Sequence, residues 1–418
     1  MPASMLNFYI VNAYIGLEEM MKINFKSYQG HATGYVIKVV YPKNYQLITE
    51  TLVHGYAQVL PNKKSITEQH IFDIASLTKF FTAIIVHRTI EKGLLNLNDP
   101  IKKIDERFVY LDDITIGNLL AHQHELWTDG YLGDAKNKTE FYQMLFNTKL
   151  KNKIRAYVDA HYMILSIILE KVYQKDFATI VKQEIIDVLS LTNTGFKLHA
   201  NDLYVSCNYE TVKGKLIDNI WPGTVHDPKA RVASEFGLYL GHAGLFSTTE
   251  DLLKVLVSLI DEQYLLLSKV SIANMLAHDD ATADIKQLLK DYADEMGIKL
   301  SFTQDINAMF EAIVKSNVNL DSFNNLSIRP YNYGGTRYPN PFLAKNEIPL
   351  EASNNTVIFS GYTGPIFLID FTKQIVILVM CNVCHTSTKN RQERYALSQK
   401  LIHELYAYVL SKMVADAN

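Results

Sequence analysis

The chain has 418 residues, of which 48% are apolar and 20% are charged. This length suits one large domain or two closely joined ones, and the composition excludes a disordered protein. Forty-one Lys and Arg against forty-four Asp and Glu give a net charge of -3, which is too balanced to attract nucleic acid or an anionic membrane surface.

The N-terminal stretch from Met5 to Gly16 is apolar in part and runs into Glu18, Glu19 and Lys22. It has no basic leader region, so it is interpreted as an amphipathic helix and not as a signal peptide. No other segment approaches the roughly twenty apolar residues that span a bilayer. We therefore expect no membrane span and a cytoplasmic location for the chain as given. A role at the cell envelope would fit if a leader had been removed.

The pattern of apolar residues predicts a hairpin followed by helices. The hairpin strands are Gly34 to Tyr41 and Gln46 to Gln58. After Asp73 the apolar residues follow helical spacing as far as Gly93. Further helical segments are Tyr162 to Tyr173, Phe177 to Leu189, Thr249 to Asp261 with Ser247 and Glu250 as a capping box, and about Ala281 to Ser316.

Strand patterns return near the end of the chain. They cover Asn355 to Ser360, Ile366 to Asp370 and Gln374 to Asn382, and a helix from about Gln392 to Val414 follows. Strands at both ends predict an α/β (α+β) fold, in which an antiparallel sheet flanked by helices is formed from both chain ends and an all-helical domain is inserted. The predicted sheet domain covers 1–75 and 270–418, and the helical domain covers 76–269. Because ligand clefts often lie between domains, we expect the active site there.

The start of the first predicted helix contains Ser-x-x-Lys, formed by Ser76 and Lys79. This spacing places the hydroxyl and the ammonium on one helix face, with Cβ atoms about 5–6 Å apart. A serine hydroxyl needs a neighbouring base to act as a nucleophile, and a helix N-terminus adds backbone N–H groups that stabilise an oxyanion. The motif alone is weak, so its meaning depends on the segments around it.

Several segments in order resemble the penicillin-recognising serine hydrolases. The similarity is to the class C-like β-lactamase and penicillin-binding protein group, which includes D,D-carboxypeptidases, D-aminopeptidases and carboxylesterases. It covers roughly residues 70–270 and 355–385. The matching segments are Phe72 to Pro100, Ile114 to His122, Asp187 to Thr194, Val225 to Pro228 and Gly241 to Thr248.

The resemblance assigns a second motif, Tyr-x-Asn, to Tyr157-Val158-Asp159. It implies that Tyr157 shares general-base and general-acid duty with Lys79. The phenolate of a tyrosine needs a positive charge beside it, and Lys79 would supply that charge. Asp159 replaces the usual asparagine, so an amide that also donates becomes a carboxylate that only accepts. We expect this carboxylate to pair with Lys79.

The third motif of the family is Lys-Thr-Gly or His-Thr-Gly on a strand lining the cleft. An ungapped match places Phe359, Ser360 and Gly361 there, so the basic first residue is absent. The resemblance implies weaker attraction for a substrate carboxylate and favours neutral esters or amides. It also implies that the backbone N–H groups of Ser76 and Tyr362 form the oxyanion hole. A competing match on Gly361 to Gly364 requires a gap in the strand.

Other reactive residues receive no catalytic role. Cys381 and Cys384 form C-x-x-C at the end of an apolar run, and no second pair completes a metal set. His122 and His124 form His-x-His in a predicted loop without grouped partners. The predicted site therefore contains no metal, and acyl transfer through a serine requires no cofactor. The segment from Tyr331 to Pro341 is expected to form one wall of the pocket.

The resulting hypothesis is a serine hydrolase that forms an acyl-enzyme on Ser76. Its catalytic residues are Ser76, Lys79 and Tyr157, and the substrate is a small or peptide-like ester, amide, β-lactam or D-alanyl compound. Asp159 and Phe359 support an alternative, a penicillin-binding or degenerate homologue that binds ligand without turnover. The oligomeric state is not predicted by any pattern in the sequence.

Overall fold

Both chain ends contribute strands to one central sheet in the computed structural model of the protein. The structure describes residues 11–13, 28, 30–153, 155–198, 203–212, 215–220, 222–278, 282–301, 303–305, 308–309, 312–313, 331–339, 347–385 and 391–414. The strands of the central sheet are β1 (Val11–Ala13), β2 (Gly34–Lys43), β3 (Gln46–Gln58), β4 (Lys64–Ser65), β11 (Thr356–Ser360), β12 (Ile366–Asp370) and β13 (Ile375–Cys381).

The order of these strands brings the N- and C-terminal parts of the chain together. It is β1-β3-β2-β13-β12-β11, with β4 paired to β3. All pairings are antiparallel except that of β1, which lies parallel to β3. The junction is formed by β2 and β13, where Val36 is opposite Met380.

The sheet is covered on both faces, which explains why β13, and β12 as far as Ile369, are continuous runs of buried apolar residues. One face packs against the terminal helix α11 (Arg391–Val414). The other face packs against helices of the middle part of the chain, beginning with α1 (Thr78–Glu91). The ring of Phe80 in α1 lies 4.8 Å from that of Phe367 in β12, between centroids.

The middle part of the chain is mainly helical. Its helices are α2 (Ile101–Ile104), α3 (Ile116–Leu120), α4 (Lys138–Phe146), α5 (Asp159–Tyr173), α6 (Phe177–Val181), α7 (Pro228–Glu235), α8 (Thr249–Val257), α9 (Lys269–Leu276) and α10 (Thr282–Glu295). It also contains short strands, namely β5 (Ile71–Asp73) paired with β10 (Phe246–Thr248), β6 (Glu125–Trp127) with β7 (Lys149–Asn152), and β8 (Asn208–Val212) with β9 (Lys215–Ile220).

The predicted fold class is confirmed, since an antiparallel sheet built from both chain ends is flanked by helices. The predicted hairpin, the helix after Asp73 and the three C-terminal strands are confirmed as well. The pairs β6–β7 and β8–β9 were not predicted. The division at residues 75 and 270 stays a prediction, because one apolar cluster runs from the sheet into the helices without a break.

Four local predictions need correction. Val11–Ala13 is a strand and not part of a helix, and the rest of the predicted N-terminal helix lies outside the described residues. The N-cap of α8 is Thr248, which accepts from the Asp251 N–H, while the Ser247 hydroxyl bonds Thr194. The segment after Phe177 continues beyond α6 as a π-helical turn. Helix α10 stops at Glu295, before Gly297 with φ 71°.

Within the described residues, no helix is both long and apolar enough to cross a bilayer.

Candidate active site

Ser76 lies in a tight turn between a short strand and a buried helix. Strand β5 ends at Asp73, a 3-10 turn covers Ala75–Leu77, and α1 begins at Thr78. Ala75 has φ 46°, in the left-handed region that residues with side chains rarely adopt. The Asp73 carboxylate accepts a hydrogen bond from the Ala75 N–H at 2.8 Å and so stabilises this turn. The serine hydroxyl is thereby held at the N-terminal end of the helix.

The buried carboxyl of Asp73 also connects this turn to distant segments. Its second oxygen accepts from the His226 N–H at 2.7 Å, and its backbone carbonyl accepts from the Thr363 hydroxyl at 2.7 Å. Burial raises the pKa of Asp73 to about 6, although the backbone N–H groups of His226 and Ala75 oppose this rise. Asp73 was not predicted as a site residue.

Lys79 is fully buried one helical turn after the serine. Its ammonium donates to the Ser76 hydroxyl at 3.3 Å, to the Asp159 carboxylate at 2.7 Å and to the His242 carbonyl at 2.9 Å. These three acceptors come from different segments of the chain. The predicted pairing of Lys79 with Asp159 is present in the structure.

The charge of Lys79 is set mainly by its carboxylate partner. Burial disfavours the ammonium, but Asp159 and the Tyr157 hydroxyl outweigh burial and hold the pKa of Lys79 above its ordinary value. Burial likewise opposes ionisation of Asp159, yet Lys79, His242 and Lys229 hold the pKa of that carboxyl well below its usual range. The resting site therefore contains an ammonium, which donates hydrogen bonds and has no lone pair for the serine proton.

Tyr157 precedes α5 and lies over the lysine. The Lys79 Nζ is 4.9 Å from the centre of its ring, and 38% of the residue is exposed. Behind it, the rings of His122 and Tyr331 lie 4.6 and 5.7 Å away between centroids. The loop that begins at Tyr331 therefore supports Tyr157, and its role as a wall of the pocket stays a prediction.

His122 pairs with another histidine of the core. Its Nδ1 lies 2.9 Å from Nδ1 of His161, so one ring donates and the other accepts. Burial lowers the pKa of His161 to about 4 and that of His122 well below its ordinary value, which keeps both rings neutral near pH 7. The part of the chain that the structure describes contains no group of three His, Cys, Asp or Glu side chains arranged to hold a metal.

Asp159 belongs to a larger charge network that the sequence did not predict. Its second oxygen lies 2.9 Å from the Lys229 ammonium, which also lies 3.3 Å from Asp227. The other oxygen of Asp227 lies 3.2 Å from Nε2 of the buried His242. Since the His242 carbonyl accepts from Lys79, the contacts close into a ring.

The segment matched to the third motif lies at the end of β11, beside the turn that carries Ser76. The strand ends at Ser360, so the ungapped match places Phe359 and Ser360 on the strand and Gly361 directly after it. A Cβ on Gly361 would come within 2.7 Å of the Ile74 carbonyl, so only glycine allows this close approach. Together with the hydrogen bond from Thr363 to Asp73, this contact holds the segment against the turn.

The side chains of this motif face different surroundings. Phe359 is 1% exposed, and its ring packs against Phe367 in the core. The Ser360 hydroxyl is half-buried and lies 3.5 Å from the guanidinium of Arg337. Tyr362 is partly exposed, and its ring stacks on His226 with 5.2 Å between centroids.

The cysteines are buried and carry no disulfide among themselves. The thiols of Cys381 and Cys384 donate to the carbonyls of Gly364 and Tyr362, at 3.3 and 3.6 Å. Burial raises the pKa of Cys381 and Cys207 well above the ordinary value, so both stay as thiols. This placement agrees with a structural role.

The sequence profile of the β-lactamase family matches residues 38–401 of the chain. The chain belongs to the β-lactamase family. The match includes the turn that carries Ser76, the Tyr157 segment and the strands of the C-terminal part, so the residues described above lie within the matched part of the chain.

Curated relatives of this β-lactamase-family protein include a teichoic acid D-alanine hydrolase of Staphylococcus aureus. The two are 25% identical over 253 residues, which cover 58% of this chain and 56% of the relative. The chain thus matches only about half the length of that relative.

Solved structures confirm the fold. EstCE1, a hydrolase with promiscuous acyltransferase activity, superposes with a TM-score of 0.64 at 17% identity, over 93% of this chain and 98% of that one. FmtA from Staphylococcus aureus gives a TM-score of 0.60 at 19% identity, over 94% and 91%. A class C β-lactamase from Rhodobacter sphaeroides gives 0.58 at 14% identity, over 93% and 99%.

The structure brings most predicted site residues together around the turn that carries Ser76. Lys79 contacts Ser76, Tyr157 and Asp159, and Gly361 packs against the turn at Ile74. Sequence analysis matched the segments that carry Asp227 and His242 but gave them no chemistry. Lys229 comes directly after the first of these segments. The feature of the sequence that could have pointed to Lys229 is its positive charge, which is opposite to that of Asp159.

Proposed function

We propose that the protein is a serine hydrolase that forms an acyl-enzyme on Ser76. The observation that carries the proposal is the fully buried Lys79 ammonium, which contacts the Ser76 hydroxyl and lies over the ring of Tyr157. Nucleophile and proton carriers are thus within reach of one another, as covalent catalysis requires. The hydrolases among the relatives and solved structures support this class of reaction.

Proton transfer is proposed to centre on Tyr157, since Lys79 is held as an ammonium. The Tyr157 oxygen takes the Ser76 proton while the serine Oγ bonds to the substrate carbonyl carbon. The bond from that carbon to the ester oxygen or amide nitrogen then breaks, and the proton passes to this leaving group. Water then attacks the acyl-enzyme in the same way. Tyr157 takes a proton from the water and passes it to the serine Oγ as the bond from Oγ to the acyl carbon breaks, and the acid is released. The Lys79 charge stabilises the phenolate form of Tyr157 in both steps.

The oxyanion of each tetrahedral intermediate is proposed to bind the backbone N–H groups of Ser76 and Tyr362. Gly361 and Thr363 support this assignment because they fix the segment against the nucleophile turn. Each such donor contributes about 2.7–4 kcal/mol to transition-state stabilisation in other hydrolases.

Substrates without a carboxylate fit the third motif best. Phe359 occupies the position of the family's cation. Because its ring is buried, it affects substrate binding through the absence of a positive charge and not through contact of the ring with the substrate. The guanidinium of Arg337 near Ser360 is paired with Glu347. A D-alanyl ester has its carboxyl esterified and lacks that negative charge, which a peptide ending in D-alanine retains. We therefore propose a small ester or amide, with D-alanyl esters as the first class to test.

A second candidate is a protein that is acylated by penicillin but does not turn it over. The observation in its favour is the 2.7 Å ion pair of Asp159 with Lys79, because a lysine held as an ammonium is a poor acceptor of protons during deacylation. The predicted cytoplasmic location and the absence of a nucleic-acid partner stay predictions.

The test combines turnover of a p-nitrophenyl ester with mass spectrometry after exposure to a penicillin. We expect ester turnover in the unmodified protein, and Ser76→Ala should lower it by about 10³-fold or more while also removing any penicillin adduct. Ser411→Ala, at an exposed position of α11, is the matched control and should retain full activity.

Two other outcomes decide against parts of the proposal. A stable adduct on Ser76 without ester turnover means that the protein is a binder. Ester turnover that survives Ser76→Ala means that the nucleophile is assigned wrongly.

The proposed substrate class predicts a higher kcat/KM for a D-alanyl ester than for a D-alanyl-D-alanine peptide.

A further inference from the structure

Asp159 introduces a full negative charge at a position where the family has a neutral amide. Its oxygen lies 2.7 Å from the Lys79 ammonium, with the lysine fully buried. In such surroundings an exclusive ion pair would fix the lysine as a cation and add negative charge beside Tyr157. A site that works with this aspartate needs something that offsets its charge.

Lys229 lies on the opposite side of the same carboxylate. Its Nζ is 2.9 Å from Asp159 Oδ2, while Lys79 occupies Oδ1. Both ammonium groups therefore share one carboxylate. The Lys229 side chain is only 21% exposed and reaches a second carboxylate, that of Asp227, at 3.3 Å.

The position of Lys229 in α7 does not explain why a lysine is present there. The residue follows Pro228 in the first turn of α7, whose N-cap is Asp227. A cation is disfavoured at a helix N-terminus, because the backbone N–H groups there carry partial positive charge. The contacts that favour Lys229 are those with the two carboxylates, one of which touches the proposed catalytic lysine.

We propose that Lys229 is a positioning residue of the reaction, which shares the Asp159 carboxylate with Lys79 and so offsets its negative charge at the Lys79–Tyr157 pair. This inference rests on the proposed function. The ring of contacts supports it, because Asp227 is anchored in turn by His242, whose carbonyl returns to Lys79. Lys229 acts through Asp159 and does not touch the reacting atoms.

Several other charged or titratable groups face this pair and are unchanged by substitution of Lys229. His122 and His161 lie behind Tyr157 and are neutral because burial lowers the pKa of both, and the Tyr331 ring lies there as well, 5.7 Å from that of Tyr157 between centroids. The remaining groups around the two lysines are Ser76, Tyr157, Asp159, Asp227, Tyr131 and His242.

The inference predicts that substitutions of Lys229 and of Asp159 shift the pH profile of kcat/KM in opposite directions. The base must lose its proton to act, so the acidic limb of the profile reports the pKa of the Lys79–Tyr157 pair. Lys229→Met removes a nearby positive charge, which raises this pKa and moves the limb to higher pH by on the order of one unit. Asp159→Asn removes the negative charge and moves the limb to lower pH. The double variant should return towards the unmodified profile.

The experiment measures ester hydrolysis by the full chain from pH 5 to 10, with Tm as a check on folding. Lys229→Arg keeps the charge and should keep the limb in place. Lys182→Met removes a lysine paired with Asp187 on the surface, and it is the matched control that should leave the profile unchanged. Lys229→Gln repeats the test if the methionine variant folds poorly.

The result that overturns the inference is an acidic limb that stays in place in both Lys229→Met and Lys229→Gln while Asp159→Asn moves it. A fall in kcat without a shift of the limb likewise points to a merely structural lysine. Failure of the proposed function has a different signature, because ester turnover would then persist in Ser76→Ala whatever the pH profile shows.

Discussion

Ser76 and Lys79 are predicted from residue type and spacing, and Tyr157 from the resemblance to the family, but the environment that tunes them is not. The first two are one helical turn apart, so any helix beginning near Ser76 brings them together. Asp73 and Lys229 reach the site through the fold, from β5 and from α7. No local pattern marks Asp73, and only its charge beside a matching segment marks Lys229, since a lysine in a helix is usually solvated.

Asp73 gives a prediction at the scale of one residue. Its pKa in the folded protein is about 6, above the ordinary value of 3.8, so folding favours the protonated form. Its contribution to stability is therefore complete at low pH and is lost as the pH rises through about 6. Relative to Asp73→Asn, the unmodified protein should lose about 2 kcal/mol of unfolding free energy between pH 4 and pH 7.

The measurement for Asp73 is urea unfolding of both proteins at several pH values in this range. The difference between the proteins isolates Asp73, because every other carboxyl is common to both. A difference that stays constant with pH would show that the carboxyl is not desolvated in the folded state.

At the scale of elements, periodicity predicted the long segments and failed on the short ones. The hairpin β2–β3 and the helix α1 have enough residues for a pattern to stand out. The strands of β6–β7 are short and partly exposed, so no alternation of apolar residues marks them. The cap of α8 shifted to Thr248 because β10 extends to that residue and the Ser247 hydroxyl is used by Thr194.

Helix α11 gives a prediction at this scale. Leu405 is fully buried between the helix and the sheet, close to Leu401 and Val409. Leu405→Ala should lower the unfolding free energy by about 2–5 kcal/mol, because the sheet cannot move to fill the cavity. Chemical denaturation measures this loss, and Lys400→Ala on the exposed side of the same helix should change stability by less than about 0.5 kcal/mol.

At the scale of the whole molecule, the sequence predicted the joining of both chain ends but not how firmly the two parts are packed. The contact between Phe80 and Phe367 belongs to a cluster that runs from the sheet into the helices. Since a shared core couples the parts, we expect scanning calorimetry to show one cooperative transition, with equal calorimetric and van't Hoff enthalpies. Two resolved transitions would support the boundaries at residues 75 and 270 as those of independently folding units.

The pairing of β2 with β13 also orders events during synthesis of the protein. The ribosome releases β2, β3 and α1 long before β11, β12 and β13, so the hairpin has an unpaired strand edge until then. The hydrogen bond from Thr363 to Asp73 joins residues 290 positions apart and forms only in this last stage. A nascent chain that already carries Ser76, Lys79 and Tyr157 should therefore stay inactive until its C-terminal strands emerge.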